Sequence, residues 1–123
     1  MRDGVARGGA ALGALILVLG AGAADAAERR CGWYHNPTPS NHWLIDREGM
    51  WIIAEQGGAR ARGLEDVPDL HAGEWVQTNG YYGYGCVCLL VDVNRQTKWV
   101  TRIEAVEQLP LARCRADPAL PRL

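Results

Sequence analysis

The sequence predicts a mainly β fold: a small antiparallel barrel or sandwich of five to six strands, stapled by disulfide bonds. Short runs rich in β-branched and aromatic residues alternate with turn-forming residues, as in small all-β domains. The chain also holds four cysteines and begins with a segment typical of exported proteins, the setting in which thiols pair. These observations do not choose between a barrel and a sandwich.

Composition narrows the class of protein before any motif is considered. With 123 residues the chain has room for one domain, and its 48% apolar content is that of a globular protein. The 13 basic and 14 acidic residues give a formal net charge of -1, so no strong field draws the protein to nucleic acid. We therefore exclude a multidomain enzyme, a basic nucleic-acid module and a polytopic membrane protein.

Residues 1–26 are predicted to be a secretory signal peptide. Two arginines near the start precede an uncharged apolar run, and the small residues Ala24 and Ala26 fit an A-x-A cleavage site. The run is shorter than the ~20 apolar residues that a spanning helix needs, so a membrane anchor is the less favoured alternative. We expect a single exported domain at 27–123, with no membrane span once the signal is removed.

The first half of the mature chain is predicted to contain a loop, a hairpin and a second, longer loop. Residues 31–41 combine two prolines with Asn and Ser, so we expect a structured loop there rather than a central strand. Residues 42–46 and 50–55 predict the strands of a hairpin, joined by a turn that ends in Gly49. Residues 59–73 hold several charges, Pro and Gly without a sustained period, which predicts a long surface loop.

The second half is predicted to be a run of strands followed by an irregular tail. The dipeptide Asn79-Gly80 favours a type I′ hairpin, whose second strand spans 81–93. Gly83 and Gly85 within that strand indicate a bulge or a close backbone approach. A further strand is expected at 98–106. Its alternation places these residues on one face: Trp99, Thr101, Ile103 and Ala105.

Four cysteines allow three pairings, and strand geometry disfavours one of them. Cys86 and Cys88 lie two apart in a predicted strand, so their side chains run parallel, with Cα atoms about 6.6 Å apart. Two pairings stay open: Cys31 with Cys86 and Cys88 with Cys114, or Cys31 with Cys88 and Cys86 with Cys114. Either would staple both ends of the mature chain to one strand, at roughly 3 to 4.5 kcal/mol per bridge.

The functional alternative for the same cysteines is a metal or redox site. Thiolates in the Cys-Val-Cys strand could hold Cu(I) or Zn(II) with help from His35, His42 or His71. None of these residues has the spacing of a familiar zinc motif, and a redox pair is usually Cys-x-x-Cys at a helix start. Structural disulfides are therefore favoured, and neither a metal nor another cofactor is expected.

Five strings, spread over most of the mature chain, carry a family likeness. They are Cys31-Gly-Trp-Tyr-His-Asn-Pro-Thr-Pro39, Asn41-His-Trp-Leu-Ile-Asp46, Gln56-Gly-Gly58, the segment 75–89 around Cys-Val-Cys, and Pro110-Leu-Ala-Arg-Cys-Arg115. Together they resemble a family of exported proteobacterial proteins catalogued as domain of unknown function 4087. The resemblance implies a bacterial periplasmic or secreted protein of about this size. It implies no activity, ligand or catalytic residue.

Aromatic and amide side chains near the first loop and the Asn-Gly hairpin form the predicted ligand-binding surface. Rings beside Asn and His suit a sugar ring or a peptide, because they combine stacking with directional hydrogen bonds. The candidate residues are Trp33, Tyr34, His35, Asn36, Asn41, Tyr81, Tyr82 and Tyr84. With no Phe in the chain, the Trp residues of the predicted strands are expected to fill the core: Trp43, Trp51, Trp75 and Trp99.

No residue pattern indicates a catalytic centre. Ser40 is the chain's one serine and lies between Pro39 and Asn41, outside any nucleophile elbow. Acidic residues such as Asp46 and Glu48 fall in a predicted turn, where solvated carboxylates are the usual state. We therefore expect a non-catalytic binding module for a protein, peptide or glycan of the cell envelope, an inhibitor being one version. A small metal-binding or redox protein is the alternative.

Overall fold

A computed structural model of the protein describes residues 27–123, so the predicted signal peptide at 1–26 lies outside the described residues. Six strands and one short helix follow in chain order: β1 Glu28–Thr38, β2 Asn41–Asp46, β3 Gly49–Ala54, β4 Trp75–Asn79, β5 Tyr82–Asn94, β6 Trp99–Leu109 and α1 Leu111–Arg115. Two 3-10 turns, Leu64–Asp66 and Leu70–Ala72, lie between β3 and β4. The mainly β prediction is confirmed. Within 27–123 no helix is long and apolar enough to cross a membrane.

Five of the strands form a closed ring. The sheet order is β1-β2-β3-β6-β5, and β5 also pairs with β1, which closes the barrel. These pairs are antiparallel except β3 with β6, which meet in parallel at Ile52 and Trp99. Strand β4 pairs with the first residues of β5. From Cys86 onward, β5 pairs with β6 instead. The architecture is a five-stranded Greek-key barrel, so the sandwich alternative is set aside.

The segment 31–41, predicted as a loop, is mostly strand β1. Pro37 follows the last pair between β1 and β5, which joins Asn36 to Gly83. It also falls where the β1–β2 register is irregular, so its missing N–H breaks no ladder hydrogen bond. The loop prediction was wrong because the prolines lie at the end of a strand, and only Pro39 and Ser40 form the turn into β2.

The barrel interior holds the main hydrophobic core. Alternate residues of β5 face it, with Val87, Leu89 and Val91 fully buried. Of the four Trp residues expected in the core, Trp51 is fully buried. The other three are half-buried: Trp43, Trp75 and Trp99. Trp33, which was expected to be more open, is instead only 2% exposed. The prediction is therefore confirmed for Trp51, while the other fully buried Trp is Trp33, which belongs to a separate apolar cluster.

Strand β6 contains two bulges that change which of its residues face the core. The register with β5 skips Glu104 and then Thr101, leaving each without a partner across the ladder. Because each bulge reverses the alternation, Val100 and Ile103 are both buried although they lie three residues apart. The predicted face of alternate residues starting at Trp99 is therefore wrong.

The segment 59–73 closes one end of the barrel and is not confined to the surface. Ala61, Leu64 and Leu70 are buried and belong to the main core. The backbone N–H of Ala61 donates to the Ile53 carbonyl at 2.8 Å, which ties the segment to β3. The surface-loop prediction missed this role because the three apolar residues follow no regular period.

A second apolar cluster lies on the outer face of β1 and β5, beneath the C-terminal segment. Cys86 and Cys88 face it from β5, as their spacing predicts. Disulfide bonds join Cys31 to Cys88 and Cys86 to Cys114, which is one of the two pairings left open by the sequence. The other members of this cluster include Trp33, Leu109 and Leu120. The disulfides therefore hold the C-terminal helix and β1 to one central strand.

The other end of the barrel carries an ion-pair network around a buried arginine. The Arg30 side chain is 6% exposed and donates to the Asp46 carboxylate at 2.7 Å. Its guanidinium carbon lies 4.0 Å from the centroid of the Trp51 ring, and Lys98 Nζ lies 3.9 Å from the same centroid. Asp46 also accepts a hydrogen bond from the Trp51 indole at 3.0 Å. This network fixes the start of β1 against the hairpin of β2 and β3.

Gly83 lies where β4 and β5 approach too closely for a side chain. A Cβ at this position would overlap the carbonyl oxygen of Val76. We expect Gly83→Ala to lower the free energy of unfolding by about 1 to 3 kcal/mol, measured by urea denaturation. The matched control is Gly58→Ala, whose Cβ would meet Glu55 at an ordinary 3.5 Å and should change stability by less than about 0.5 kcal/mol. Equal effects of the two substitutions would contradict the close approach.

Candidate functional site

The residues predicted to form one binding surface are divided between two regions by strand alternation. Because 31–38 is a strand and not a loop, neighbouring side chains point to opposite faces of the barrel wall. Trp33 and His35 lie on the outer face with Tyr84. Tyr34 packs in the barrel core. The two regions must therefore be considered separately as binding sites.

The outer region is a row of aromatic rings across β5, β1 and β2. His35 contacts Tyr84 on one side and Trp43 on the other, with ring centroids 6.1 and 5.4 Å apart. Trp33 packs edge-on against Tyr84 at 5.2 Å and is buried by the C-terminal segment. Its indole N–H donates to the Pro121 carbonyl at 2.9 Å. The prediction that Trp33 is an open surface residue is therefore wrong, since the chain's own tail covers it.

A depression of about 730 Å³ lies between this aromatic row and the C-terminal segment. Its two aromatic polar groups already have partners within the chain: Trp33 donates to Pro121, and the Tyr84 hydroxyl donates to the Leu123 carbonyl at 3.3 Å. A ligand here would have to compete with these internal hydrogen bonds. We therefore interpret the depression as the packing boundary between the C-terminal segment and the barrel, and not as a ligand site.

The inner region opens into a smaller cavity at the barrel end that the segment 59–73 closes. The cavity measures about 230 Å³. It is lined by Tyr34, Asn36, His42, Arg60, Leu64, Val67, Pro68, Asp69, Leu70, His71 and Trp75. Its walls thus combine an apolar and aromatic side with several polar side chains, the usual composition of a small-molecule site.

Tyr34 and His42 form a hydrogen-bonded pair that faces this cavity. The Tyr34 hydroxyl lies 2.7 Å from His42 Nδ1. Burial, with a smaller contribution from the positive charge of Arg60, lowers the pKa of His42 to about 4. Burial also raises the pKa of Tyr34 well above its usual range. Both side chains are therefore neutral near pH 7.

The Asn36 side chain is held in one orientation by the turn that joins β1 to β2. Its Nδ2 group donates to the carbonyls of Thr38 at 2.9 Å and Asn41 at 2.7 Å. The Asn41 side chain supports the same turn, donating to Thr38 Oγ1 and accepting from the Gln56 backbone N–H. Asn41 thus has a structural task, whereas Asn36 lines the cavity with its amide orientation fixed.

The β4–β5 hairpin supplies the rim of the cavity. The Tyr81 carbonyl accepts hydrogen bonds from His71 Nε2 and, at 3.2 Å, from the Trp75 indole. The Tyr81 ring packs edge-on against His71 and is 75% exposed. Tyr82 is half-buried in β5 and is not among the residues that line the cavity. Tyr81 does not line the cavity either, but its ring contact with the lining residue His71 places it beside the rim.

The four predicted disulfide cysteines are all bonded, as described above. While these bonds are intact, the Cys-Val-Cys strand offers no thiolate to a metal. Among residues 27–123 there is also no group of three or more His, Cys, Asp or Glu side chains placed to hold a metal ion. The metal or redox alternative stays an untested prediction.

Comparison with known protein families identifies the family of this chain. A family model described as protein of unknown function (DUF4087) matches residues 25–121. The chain belongs to this family. Comparisons with curated proteins and with solved structures find no significant match.

For this DUF4087 protein, sequence reasoning named two of the eleven lining residues as binding residues and missed the other nine, among them His42, Arg60, His71 and Trp75. His42 and His71 were considered only as metal ligands. Trp75 was assigned to the core, and Arg60 was one of several charges in a predicted surface loop. The sequence does place His42 beside the turn that holds Asn36. No local pattern places Arg60 above Tyr34, because that proximity depends on barrel closure.

The neutral His42 predicts an acid-sensitive fold. Its pKa of about 4 lies below the unfolded value of 6.5, so the unfolded chain binds more protons between those pH values. Stability is therefore complete above about pH 6.5 and falls as the pH drops toward 4. Burial lowers the pKa of His35 in the same direction. After allowance for partial exposure, we expect His42 to account for a loss of about 1 to 3 kcal/mol.

Urea denaturation at pH 7 and pH 4 measures this effect, with His42→Asn as the comparison. Asn can accept the Tyr34 hydrogen bond but does not titrate, so the variant should lose less stability on acidification than the wild type. An identical loss in the two proteins would contradict a buried neutral His42.

Proposed function

We propose that this protein is an exported, non-catalytic binding module of the bacterial cell envelope, and that the cavity around Tyr34 and His42 is its binding site for a peptide, protein or glycan. The observation that carries the proposal is the cavity's composition. Fixed polar groups on β1 and β2 face an apolar and aromatic wall from the segment 59–73 and β4. Such a pairing of stacking surface with convergent polar groups is typical of ligand sites.

Export is supported by the two disulfide bonds. Disulfides form and persist in oxidising compartments outside the cytosol, and they are common in small secreted domains. The predicted signal peptide at 1–26 and the family resemblance make the bacterial periplasm the proposed location, with secretion as the wider possibility.

Binding is favoured over catalysis by the state of the polar pair. A general acid or base works best with a pKa near the operating pH, whereas the pKa of His42 is about 4. Tyr34, the group hydrogen-bonded to it, holds its proton because burial raises its pKa. The pair is suited to present a fixed hydrogen-bonding surface and poorly suited to exchange protons at neutral pH.

A thermal-shift screen of the disulfide-bonded domain tests the proposal. The panel contains short N-acetylated peptides, soluble peptidoglycan fragments and neutral chito-oligosaccharides. A ligand that binds only the folded state raises the melting temperature. We expect at least one compound class to do so in the wild type and in the control Arg95→Gln, at the opposite end of the barrel. The rise should vanish in Val67→Phe, which fills the cavity. No stabilisation by any class, or an equal rise in Val67→Phe, would contradict the proposal.

A further inference from the structure

We propose that the cavity binds the C-terminal end of a peptide, holding its terminal carboxylate near Arg60 and an apolar last side chain against the loop wall. This inference rests on the proposed function and names the chemistry of its ligand. Four features of the cavity carry it: its charge, two hydrogen-bonding positions, its apolar wall and its size.

The cavity offers an unsatisfied positive charge. Arg60 is exposed at its rim and makes no ion pair within the described part of the chain. The one carboxylate that lines the cavity, Asp69, is paired through Oδ1 with the backbone N–H of His71 at 3.0 Å and with His71 Nδ1 at 2.9 Å, and it makes no ion pair with Arg60. A carboxylate is therefore the complementary ligand group, and the planar guanidinium can donate to both of its oxygens.

A hydrogen-bond donor lies in the same wall. The buried Tyr34 hydroxyl has His42 Nδ1 as its one hydrogen-bonding partner within 27–123. If the phenol donates to Nδ1, the neutral imidazole carries its hydrogen on Nε2, and if Nδ1 donates, the phenol O–H is left without an acceptor. In either arrangement the pair keeps one hydrogen that no described residue accepts, and both side chains line the cavity. A ligand oxygen can receive that hydrogen alongside Arg60.

An acceptor completes the polar side. Both amide hydrogens of Asn36 are used by the carbonyls of Thr38 and Asn41, which fixes the orientation of the side chain. Its Oδ1 accepts no hydrogen bond from the described residues, although Asn36 is only 8% exposed. A group with an N–H next to a carboxylate matches this set, and the last peptide unit of a chain has that arrangement.

The apolar wall of the cavity and the cavity volume determine which side chain the last residue of the ligand can have. Leu64, Val67, Leu70 and Trp75 line the cavity with apolar surface. Its volume of about 230 Å³ is below the ~300 Å³ at which pockets for drug-sized ligands begin, so it accommodates one residue and not a folded segment. The preceding peptide would leave across the rim beside Tyr81, whose ring is 75% exposed.

Calorimetric titration with N-acetyl-Ala-Ala-Leu and its C-terminal amide tests the inference directly, because amidation removes the negative charge and replaces one acceptor oxygen by an NH2 donor at nearly the same size. A charge-assisted interaction predicts that the free acid binds roughly tenfold to hundredfold more tightly than the amide. Arg60→Gln should remove most of this difference. The matched control is Arg62→Gln, another exposed arginine two residues away that does not line the cavity, and it should retain the difference.

The outcomes separate this inference from the proposed function. Equal binding of acid and amide, or equal losses in Arg60→Gln and Arg62→Gln, would overturn the carboxylate assignment and leave the binding module standing. Binding of a neutral glycan in the thermal-shift screen, with no binding of either peptide, would likewise overturn the peptide ligand alone. Failure of every probe in both experiments would overturn both.

Discussion

Replacing Cys31 and Cys88 together by alanine is expected to lower the free energy of unfolding by about 4 kcal/mol, and replacing Cys86 and Cys114 by about 3.5 kcal/mol. The bridges span sequence separations of 57 and 28 residues, so each strongly restricts the unfolded chain. A domain of this size has a total stability of about 5 to 15 kcal/mol. Loss of both bridges should leave it partly or wholly unfolded.

The two double variants should also differ in which part of the fold becomes loosely held. Cys31 lies directly opposite Cys88 in the β1–β5 ladder, whereas Cys114 belongs to α1. Loss of the second bridge should therefore loosen the C-terminal cover and expose the buried Trp33, with a red shift of Trp fluorescence before global unfolding. Urea denaturation measures the stabilities, and dithiothreitol treatment of the wild type is the independent control. A loss below about 1 kcal/mol in either variant would contradict this role of the bridges.

Asp46→Ala is expected to destabilise the protein by about 2 to 3 kcal/mol, because it removes the most buried of the carboxylates that pair with the buried Arg30. Arg30 donates to Asp46 at 2.7 Å with both side chains nearly inaccessible, at 6% and 4% exposure. Glu28 and Glu48 also contact Arg30, but Glu48 is half-exposed and its contact is longer, at 3.4 Å. The substitution also removes the acceptor of the Trp51 indole.

The neighbouring arginine supplies a matched control. Arg29 pairs with Glu107 at 3.1 Å, and both side chains are more than 60% exposed. Glu107→Ala should therefore cost less than about 1 kcal/mol, as surface ion pairs usually do. Urea denaturation of both variants at pH 7 compares them under identical conditions. Similar effects of Asp46→Ala and Glu107→Ala would show that burial does not govern the strength of these pairs.

The features predicted well from the sequence are those determined by local chemistry. The hairpin of β2 and β3 follows from two β-forming runs around a turn, and the β4–β5 hairpin follows from Asn79-Gly80. The common face of Cys86 and Cys88 follows from the period of a strand. Barrel closure was beyond this reasoning, since the pairing of β1 with β5 joins segments far apart in the chain. The bulges in β6 leave no distinctive local signal either.

The sequence predicted which types of residue form the candidate site, but not where the fold places each side chain. Tyr34 and Asn36 were named among the binding residues, and the structure places both in the cavity wall. Trp33 and His35 were named with them, yet alternation sends their side chains to the other face. Arg60 contributes the positive charge on which the proposed selectivity depends, but its proximity to Tyr34 exists only after the segment 59–73 has closed the barrel end.

The most direct test of the cavity as binding site is an NMR titration that follows the indole N–H signals. The five Trp side chains give five such signals, one of which belongs to the cavity residue Trp75. Titration with N-acetyl-Ala-Ala-Leu is predicted to shift the Trp75 signal while Trp33 and Trp51 stay unchanged. Shifts of Trp33 or Trp43 with Trp75 unmoved would place binding on the outer aromatic row and contradict the account, as would the absence of any shift.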